Sequence, residues 1–329
     1  MKGPDTANIP VIDVANPSTE VAKELLNAAS THGFVFISND SDDAGIPPKD
    51  IQGMFELSRE FFKSPTELKA ECPIQGNHGW AGMHVETLDP KHQKKGDFKE
   101  AFNIGDFANG KATQPLPSPL SPHEAQIGRF ADQCHALCNN ILRVFATALE
   151  GGASWFAQRH DRTRGPSSNI LRLLYYPALS PSAVQVPSTD IRAGAHSDYG
   201  TLTLLFQLPG GQPGLEILTP ADTWAPVPIN PLHQRTPPIL VNIGDLLSYW
   251  TGGLLKSTVH RVVFPKDEGG ADRYSMAYFC HPLDAAELVP IPSKLVEGRE
   301  GLEDGKGGKV LTAKGHLNQR LAETYGIKT

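Results

Sequence analysis

Cysteine is scarce in this 329-residue chain: Cys72, Cys134, Cys138 and Cys280 are its four thiols, and their spacing forms no disulfide framework. Cys134 and Cys138 share one face of a helical pattern, yet no second ligand pair follows at zinc-like spacing, so both read as core thiols. An excess of positive charge is also missing. Thirty Lys and Arg against 36 Asp and Glu leave a net charge of −6, which excludes the basic stripe a nucleic-acid binder needs. The one local basic cluster, Lys91, Lys94 and Lys95, reads as a solvated loop. No apolar run approaches the length of a membrane span, and Met1-Lys-Gly-Pro-Asp5 carries no apolar signal core. No membrane partner and a cytoplasmic location are therefore expected. What remains, 39% hydrophobic and 20% charged residues, is the make-up of an ordinary soluble globular protein, with nothing that specifies an oligomeric state.

The chain begins with a short strand pattern at Ile9–Val14, a helix from Ser18 or Thr19 to about Ala29, a strand at Gly33–Ser38 and a helix from Asp50 to Phe62 that Ser64-Pro65 ends. Between Pro73 and Pro119 glycines, prolines and histidines interrupt every period, and a loop that long in a compact enzyme is usually functional. Ser121-Pro-His-Glu124 reads as a capped helix start, with Ile127, Phe130, Cys134, Leu137, Ile141, Phe145 and Leu149 continuing at helical spacing. From Asn169 to Pro282 the pattern changes to short β runs split by Gly and Pro, which argues for a sandwich or barrel. Gly244-Asp245 reads as a turn between two of those strands, and Val310 to about Tyr325 as a last helix over the barrel mouth. The expected fold class is mainly β with flanking helices.

The chemistry concentrates in His196-Ser-Asp198, His260 and Arg273-Tyr-Ser275. Two imidazoles and one carboxylate make a facial triad, which fills three of six positions around Fe(II) and leaves three for ligands that react. Strand alternation places Arg192, Gly194, His196 and Asp198 on one face, and Arg273, Ser275, Ala277 and Phe279 on another. If both faces line one interior, imidazole, carboxylate and guanidinium converge in a single pocket. Arg273 then offers a planar fork to a carboxylate, with the Ser275 hydroxyl beside it; a structural ion pair is the competing reading.

These residues, with Ile9-Pro-Val-Ile-Asp13, Leu171-Arg-Leu-Leu-Tyr-Tyr-Pro177 and Ser257-Thr-Val-His-Arg-Val262, resemble the non-haem Fe(II)/2-oxoglutarate-dependent dioxygenases of the isopenicillin N synthase-like family, and within it the fungal thymine-hydroxylase-like branch. The resemblance implies a double-stranded β-helix (jelly-roll) core. It also implies a single dioxygenase domain: a helix-rich support region over 1–165, the catalytic core over 166–285 and a helical segment over 286–329. It assigns iron to His196, Asp198 and His260, and the far carboxylate of 2-oxoglutarate to Arg273 and Ser275. O2 completes the set, and oxidative decarboxylation of the cosubstrate to succinate and CO2 drives hydroxylation, desaturation, ring expansion or cyclisation of a small molecule, as in specialised metabolism.

Several plant members carry Asn-Tyr-Tyr-Pro where this chain has Leu174-Tyr-Tyr-Pro177, so only Tyr176 takes over a cosubstrate contact. The irregular 73–119 stretch is placed at the substrate mouth. Phe279 and Arg172 are candidates for substrate contact, Arg172 with the alternative of a paired charge in the barrel wall. Arg192 is a third candidate and points to an anionic substrate, unless its strand begins only at Ala193 and leaves it on the surface. Two other functions stay open. Isopenicillin N synthase itself uses the same Arg-x-Ser pattern for its substrate carboxylate and consumes no 2-oxoglutarate. A non-catalytic jelly roll that only binds a small molecule is the other.

Overall fold

The N-terminal segments fold where their patterns predict, because each presents one apolar face to the same sheet. β1 (Val11–Ile12) runs parallel to β2 (Phe34–Ile37), and between them α1 (Thr19–Thr31) is capped by Ser18, whose hydroxyl accepts the Val21 N–H at 3.2 Å. Such a cap contributes about 1 kcal/mol. α2 (Pro48–Lys63) and the single turn α3 (Thr66–Lys69) follow. The computed structural model describes residues 6–40, 45–93, 95–152, 154–178, 192–264, 271–299 and 310–325; Met1–Asp5, Lys94 and Ile191 lie outside them.

The stretch from Pro73 to Pro119 is more ordered than its sequence pattern predicts. It holds β3 (Gly79–Ala81), β4 (Glu100–Ile104) and the small hairpin of β5 (Phe107–Ala108) and β6 (Lys111–Ala112). β4 escaped notice because four of its five residues are buried, on both faces, so no alternation marks it. A 3₁₀ turn at Ser121–His123 then leads into α4 (Glu124–Ala148). The expected capping box does not form: no side chain caps this helix, and Glu124 instead accepts from the Ala112 N–H and Lys111. α5 (Ser154–His160) closes the helical region.

The core strands are β7 (Ile170–Tyr176), β8 (Ala193–His196), β9 (Leu202–Gln207), β10 (Leu215–Leu218), β11 (Trp224–Pro226), β12 (Ile239–Ile243), β13 (His260–Val262) and β14 (Arg273–Cys280), with α6 (Asp245–Trp250) after β12 and α7 (Ala313–Tyr325) near the end. They make two sheets, an eight-stranded β1-β2-β12-β9-β14-β7-β4-β3 and a four-stranded β11-β10-β13-β8. Apart from the β1–β2 pair, the named strands of both sheets pair antiparallel. Their inner faces pack together through Phe34, Phe36, Leu174, Leu240 and Ala277 on the large sheet and Ala193, Leu215, Ile217 and Val262 on the small one. The other face of the large sheet (Val35, Leu173, Leu204, Phe206, Val241, Met276) buries against α1, α2 and α4. Burial of one such Leu or Phe side chain is worth about 1.5–3 kcal/mol, so this helical layer anchors the sheet that carries the site.

Gly244-Asp245 is not a strand turn. Gly244 precedes α6, its Asp245 N–H bonds the Asp198 carbonyl at 2.7 Å, and a Cβ at Gly244 would sit 2.1 Å from the Gly200 carbonyl oxygen. Only glycine lets these two loops approach. Among the described residues no helix is long and apolar enough to cross a membrane.

Candidate active site

β8 and β13 bring the two histidines together, since their register pairs His196 with His260 and Ala193 with Val262. Between those pairs β8 advances three residues while β13 advances two, so β8 carries a one-residue bulge. The bulge resets its alternation: Ala193 and His196 both face the inner cavity with His260 and Val262. Arg192 therefore falls off the face that strict alternation assigns to it, and the strand begins at Ala193.

The His196 and His260 rings lie 4.4 Å apart, and each Nε2 is 3.7 Å from Asp198 Oδ1. Behind each ring, Nδ1 meets a backbone carbonyl, Gly194 at 2.7 Å and Thr258 at 3.1 Å. A carbonyl only accepts, so Nδ1 carries the proton and the Nε2 lone pair faces inward. The far oxygen of the carboxylate is fixed as well: Asp198 Oδ2 accepts from Thr203 Oγ1 at 2.6 Å and Asn242 Nδ2 at 2.7 Å. Burial opposes ionisation of Asp198, but the two imidazoles and these hydrogen bonds outweigh it and hold its carboxyl below the usual range. Burial first, and His260 second, push His196 down to about 4, so it is a neutral ligand at pH 7. Atoms that each bond one first-row ion at about 2.1 Å stand at most about 4.2 Å apart. The 3.7 Å separations are thus short enough to share an ion and too long for hydrogen bonds. The donor set fits Fe(II) with one open side.

On β14, Arg273, Ser275, Ala277 and Phe279 all line the inner cavity, as the alternation predicts. Arg273 is 3% exposed; it donates to Ser275 Oγ at 3.1 Å and Gln207 Oε1 at 3.2 Å, and its guanidinium lies 4.9 Å from the Tyr176 ring centre. No carboxylate among the described residues pairs with it, which disfavours the structural ion pair. A buried cation held only by neutral groups is costly unless an anion joins it, and its planar fork fits a carboxylate. Arg192 occupies neither the mouth nor the surface. It is fully buried in the wall behind Arg273, donating to Gln212, to the Pro177 carbonyl at 3.2 Å and to the Ala271 carbonyl at 3.4 Å. Burial, then the nearby Arg273 charge, pushes its pKa down to about 10.

Two chambers of about 70 Å³ each meet at His196 and Asp198. Tyr176, Arg273 and Ser275 line the inner one; Asn77, Asn103, Tyr199, Leu317 and Leu321 line the outer one, and Arg172 and Phe279 touch both. Arg172 thus reaches the cavity and is also a paired charge in the wall, bonded to Glu86, which takes Lys99 at 3.2 Å. Lys99 pairs in turn with Asp97, whose Oδ1 accepts the Gly194 N–H at 3.1 Å, so this charge quartet braces β8. α7 covers the mouth as expected: Arg320 reaches Asp245 at 3.2 Å and stacks 4.9 Å from the Tyr199 ring centre. A larger groove of about 820 Å³ lies elsewhere, around Trp224 and Lys256, and contains no triad residue.

Thr203, Gln207 and Asn242 were not singled out from the sequence. A signal existed: Thr203, Leu205 and Gln207 alternate along β9, and Asn242 interrupts the apolar run Ile239–Ile243. Asp97 and Lys99 lie in the run Asp97–Asn103 that the resemblance places at the mouth, without a role, and Glu86 left no signal.

Residues 9–123 match the family described as non-haem dioxygenase in morphine synthesis N-terminal, and residues 167–282 match the 2OG-Fe(II) oxygenase superfamily. The chain is 34% identical over 326 residues to the UPF0676 protein C1494.01 of Schizosaccharomyces pombe, covering 97% of this chain and 93% of that one. It is 31% identical to the 2-oxoglutarate-Fe(II) type oxidoreductase ppzD of Metarhizium majus, covering 92% and 89% of the two chains. A full-length Neurospora crassa protein, solved in complex with alpha-KG and thymine, superposes with a TM-score of 0.79 at 31% identity, covering 96% and 97%.

Proposed function

Because the chain belongs to the 2OG-Fe(II) oxygenase superfamily, we propose that His196, Asp198 and His260 hold its iron and that Arg273, Ser275 and Tyr176 hold the far end of its 2-oxoglutarate. The protein is an Fe(II)- and 2-oxoglutarate-dependent oxygenase. The observation that carries the residue assignment is the convergence of two Nε2 lone pairs and Asp198 Oδ1 at 3.7 Å, each fixed from behind by its own hydrogen bond. Bound Fe(II) supplies O2 activation coupled to decarboxylation of the cosubstrate to succinate and CO2, and oxidation of a substrate C–H bond.

The protein's part is to bind and orient. Arg273 and Ser275 set the reach of the cosubstrate from one wall, and Gln207 keeps the guanidinium plane from turning. Phe279 and Arg172, shared by both chambers, separate cosubstrate from substrate, while Leu317 and Leu321 shut water out of the mouth. The expectation of an anionic substrate rested on Arg192, which is spent on the wall, and the Arg172 charge is matched by Glu86. A neutral small molecule suits the outer chamber better. The Neurospora crassa relative binds thymine, and for this chain we propose a substrate of comparable size, in specialised metabolism. Free thiols at all four cysteines support a cytoplasmic setting.

Asp198→Ala should abolish Fe(II) binding in an anaerobic titration while circular dichroism stays unchanged; normal iron stoichiometry would sink the ligand assignment. Arg273→Lys should keep iron and weaken 2-oxoglutarate by about 1–3 kcal/mol. Succinate release with O2 uptake separates this chemistry from an oxidase that uses no 2-oxoglutarate. The single-domain division is supported by β2 and β4, which hydrogen-bond into the sheet of β7, β9, β12 and β14. Cooperative folding of residues 166–285 alone would overturn it.

A further inference from the structure

We infer that Asn103 determines substrate specificity by accepting a hydrogen bond from an N–H of the substrate, and that the substrate is a small neutral cyclic amide, a lactam or imide. This rests on reading the outer chamber as the substrate site.

Asn103 sits on β4 directly across from Arg172 on β7, and both line the outer chamber. The residue is 1% exposed. Its Nδ2 donates to the Asn77 backbone carbonyl at 3.2 Å and to Asn77 Oδ1 at 3.1 Å. The backbone carbonyl can only accept, so the orientation of the amide is settled: nitrogen toward Asn77, oxygen away from it. That buried Oδ1 accepts from no donor among the described residues. A buried acceptor left without a donor is unfavourable, and in a binding chamber the natural donor is the ligand.

The neighbouring wall supplies the complementary group. Arg172 brings a guanidinium, a donor only, to the position across from Asn103, and Glu86 balances its charge. An acceptor beside a donor matches an N–H and a C=O that share one edge. Lactams, imides and primary amides present that edge. A secondary acyclic amide, trans about its C–N bond, points the two groups to opposite sides. Size narrows the choice, since about 70 Å³ holds only a handful of water-sized groups at roughly 10–15 Å³ each. Phe279, Tyr199, Ile170 and Leu317 supply apolar wall suited to a ring, beside the polar Asn77, Ser197 and His281. Matching both polar groups discriminates strongly, because an analogue lacking the N–H leaves Asn103 buried and unsatisfied.

The test uses the full-length protein loaded anaerobically with Fe(II) and 2-oxoglutarate, with binding read by calorimetry. The probes are 2-piperidone and glutarimide, each against its N-methyl derivative, and δ-valerolactone. Parent protein should bind the N–H compounds at least tenfold more tightly than the others. Asn103→Leu should bring that ratio to near one, and Asn103→Asp, which keeps the acceptor but loses the donor to Asn77, should preserve it. If Asn103 only braces Asn77, the Leu variant would weaken every probe equally and the ratio would survive. A parental ratio near one, a surviving ratio in the Leu variant, or no binding of either N–H probe overturns the inference. Succinate release is scored separately: release without N–H selectivity leaves the oxygenase standing and removes Asn103. Selectivity without release leaves Asn103 as a reader of N–H groups and overturns the outer chamber as the place of oxidation.

Discussion

A hydroxyl and an amide together fix which oxygen of Asp198 faces the two imidazoles. Thr203 Oγ1 and Asn242 Nδ2 both bond Oδ2, so Oδ1 alone is left toward the Nε2 atoms. Thr203→Val keeps the shape and removes the donor. Fe(II) affinity should fall about 10–100-fold, the usual cost of losing an outer-shell partner, with the fold unchanged. Anaerobic iron titration checks this, and parental affinity would show that Asn242 suffices alone. Arg192 makes the opposite point about reach. Arg192→Met should leave the substrate KM untouched and lower stability by about 1–3 kcal/mol, because buried acceptors such as the Pro177 carbonyl lose their donor. Chemical denaturation beside steady-state kinetics separates the two effects. A raised KM with unaltered stability would return Arg192 to the mouth.

Among elements, α7 joins the outer chamber to the loop that carries Asp198. Leu317 and Leu321 close the outer chamber, while Arg320 on the same helix holds Asp245, whose N–H bonds the Asp198 carbonyl. Because that ion pair is partly exposed, its own contribution is small, about 0–1 kcal/mol, and its value is positional. Leu317→Ser should therefore raise the substrate KM and release more succinate per substrate oxidised, with iron and 2-oxoglutarate affinities unchanged. Unaltered coupling would mean that α7 does not close the site. The bulge in β8 is the other element that matters, since it turns Ala193 and His196 to one side and Arg192 into the wall. Period-two reasoning holds along β14, which pairs without a break from Arg273 to Phe279, and fails along β8 at the one inserted residue.

For the whole molecule, buried neutral histidines set the acid limit. His281 is 5% exposed, and burial, then His316, push its pKa from 6.5 to about 3. Between those values the unfolded chain binds a proton that the native chain refuses. Stability is therefore fully present above pH 6.5 and declines as pH falls toward 3. His160, lowered chiefly by burial, adds in the same direction. Urea unfolding at pH 7 and pH 4.5 should show the loss, and His281→Gln should flatten it. An unchanged slope in that variant would assign the acid sensitivity to other groups.

The sequence by itself determined which residue types meet in the inner cavity and their order along the chain, two imidazoles, a carboxylate and a guanidinium beside a hydroxyl, and with them the β-rich core and the helices that flank it. Those properties are local: residue identity fixes chemistry, and alternation or helical period fixes which side chains share a face. Tertiary structure decided the rest. Only the pairing of β8 with β13 brings His196 and Asp198 to His260, and only long-range pairing makes β4 a strand, since a segment buried on both faces carries no period. The Glu86–Lys99–Asp97 cluster, the Asn103 acceptor and the fate of Arg192 were likewise decided in three dimensions. Each depends on a partner distant in sequence, as Glu86 does on Arg172 and Asn103 on Asn77, or on a single bulge that shifts every residue before it to the opposite face.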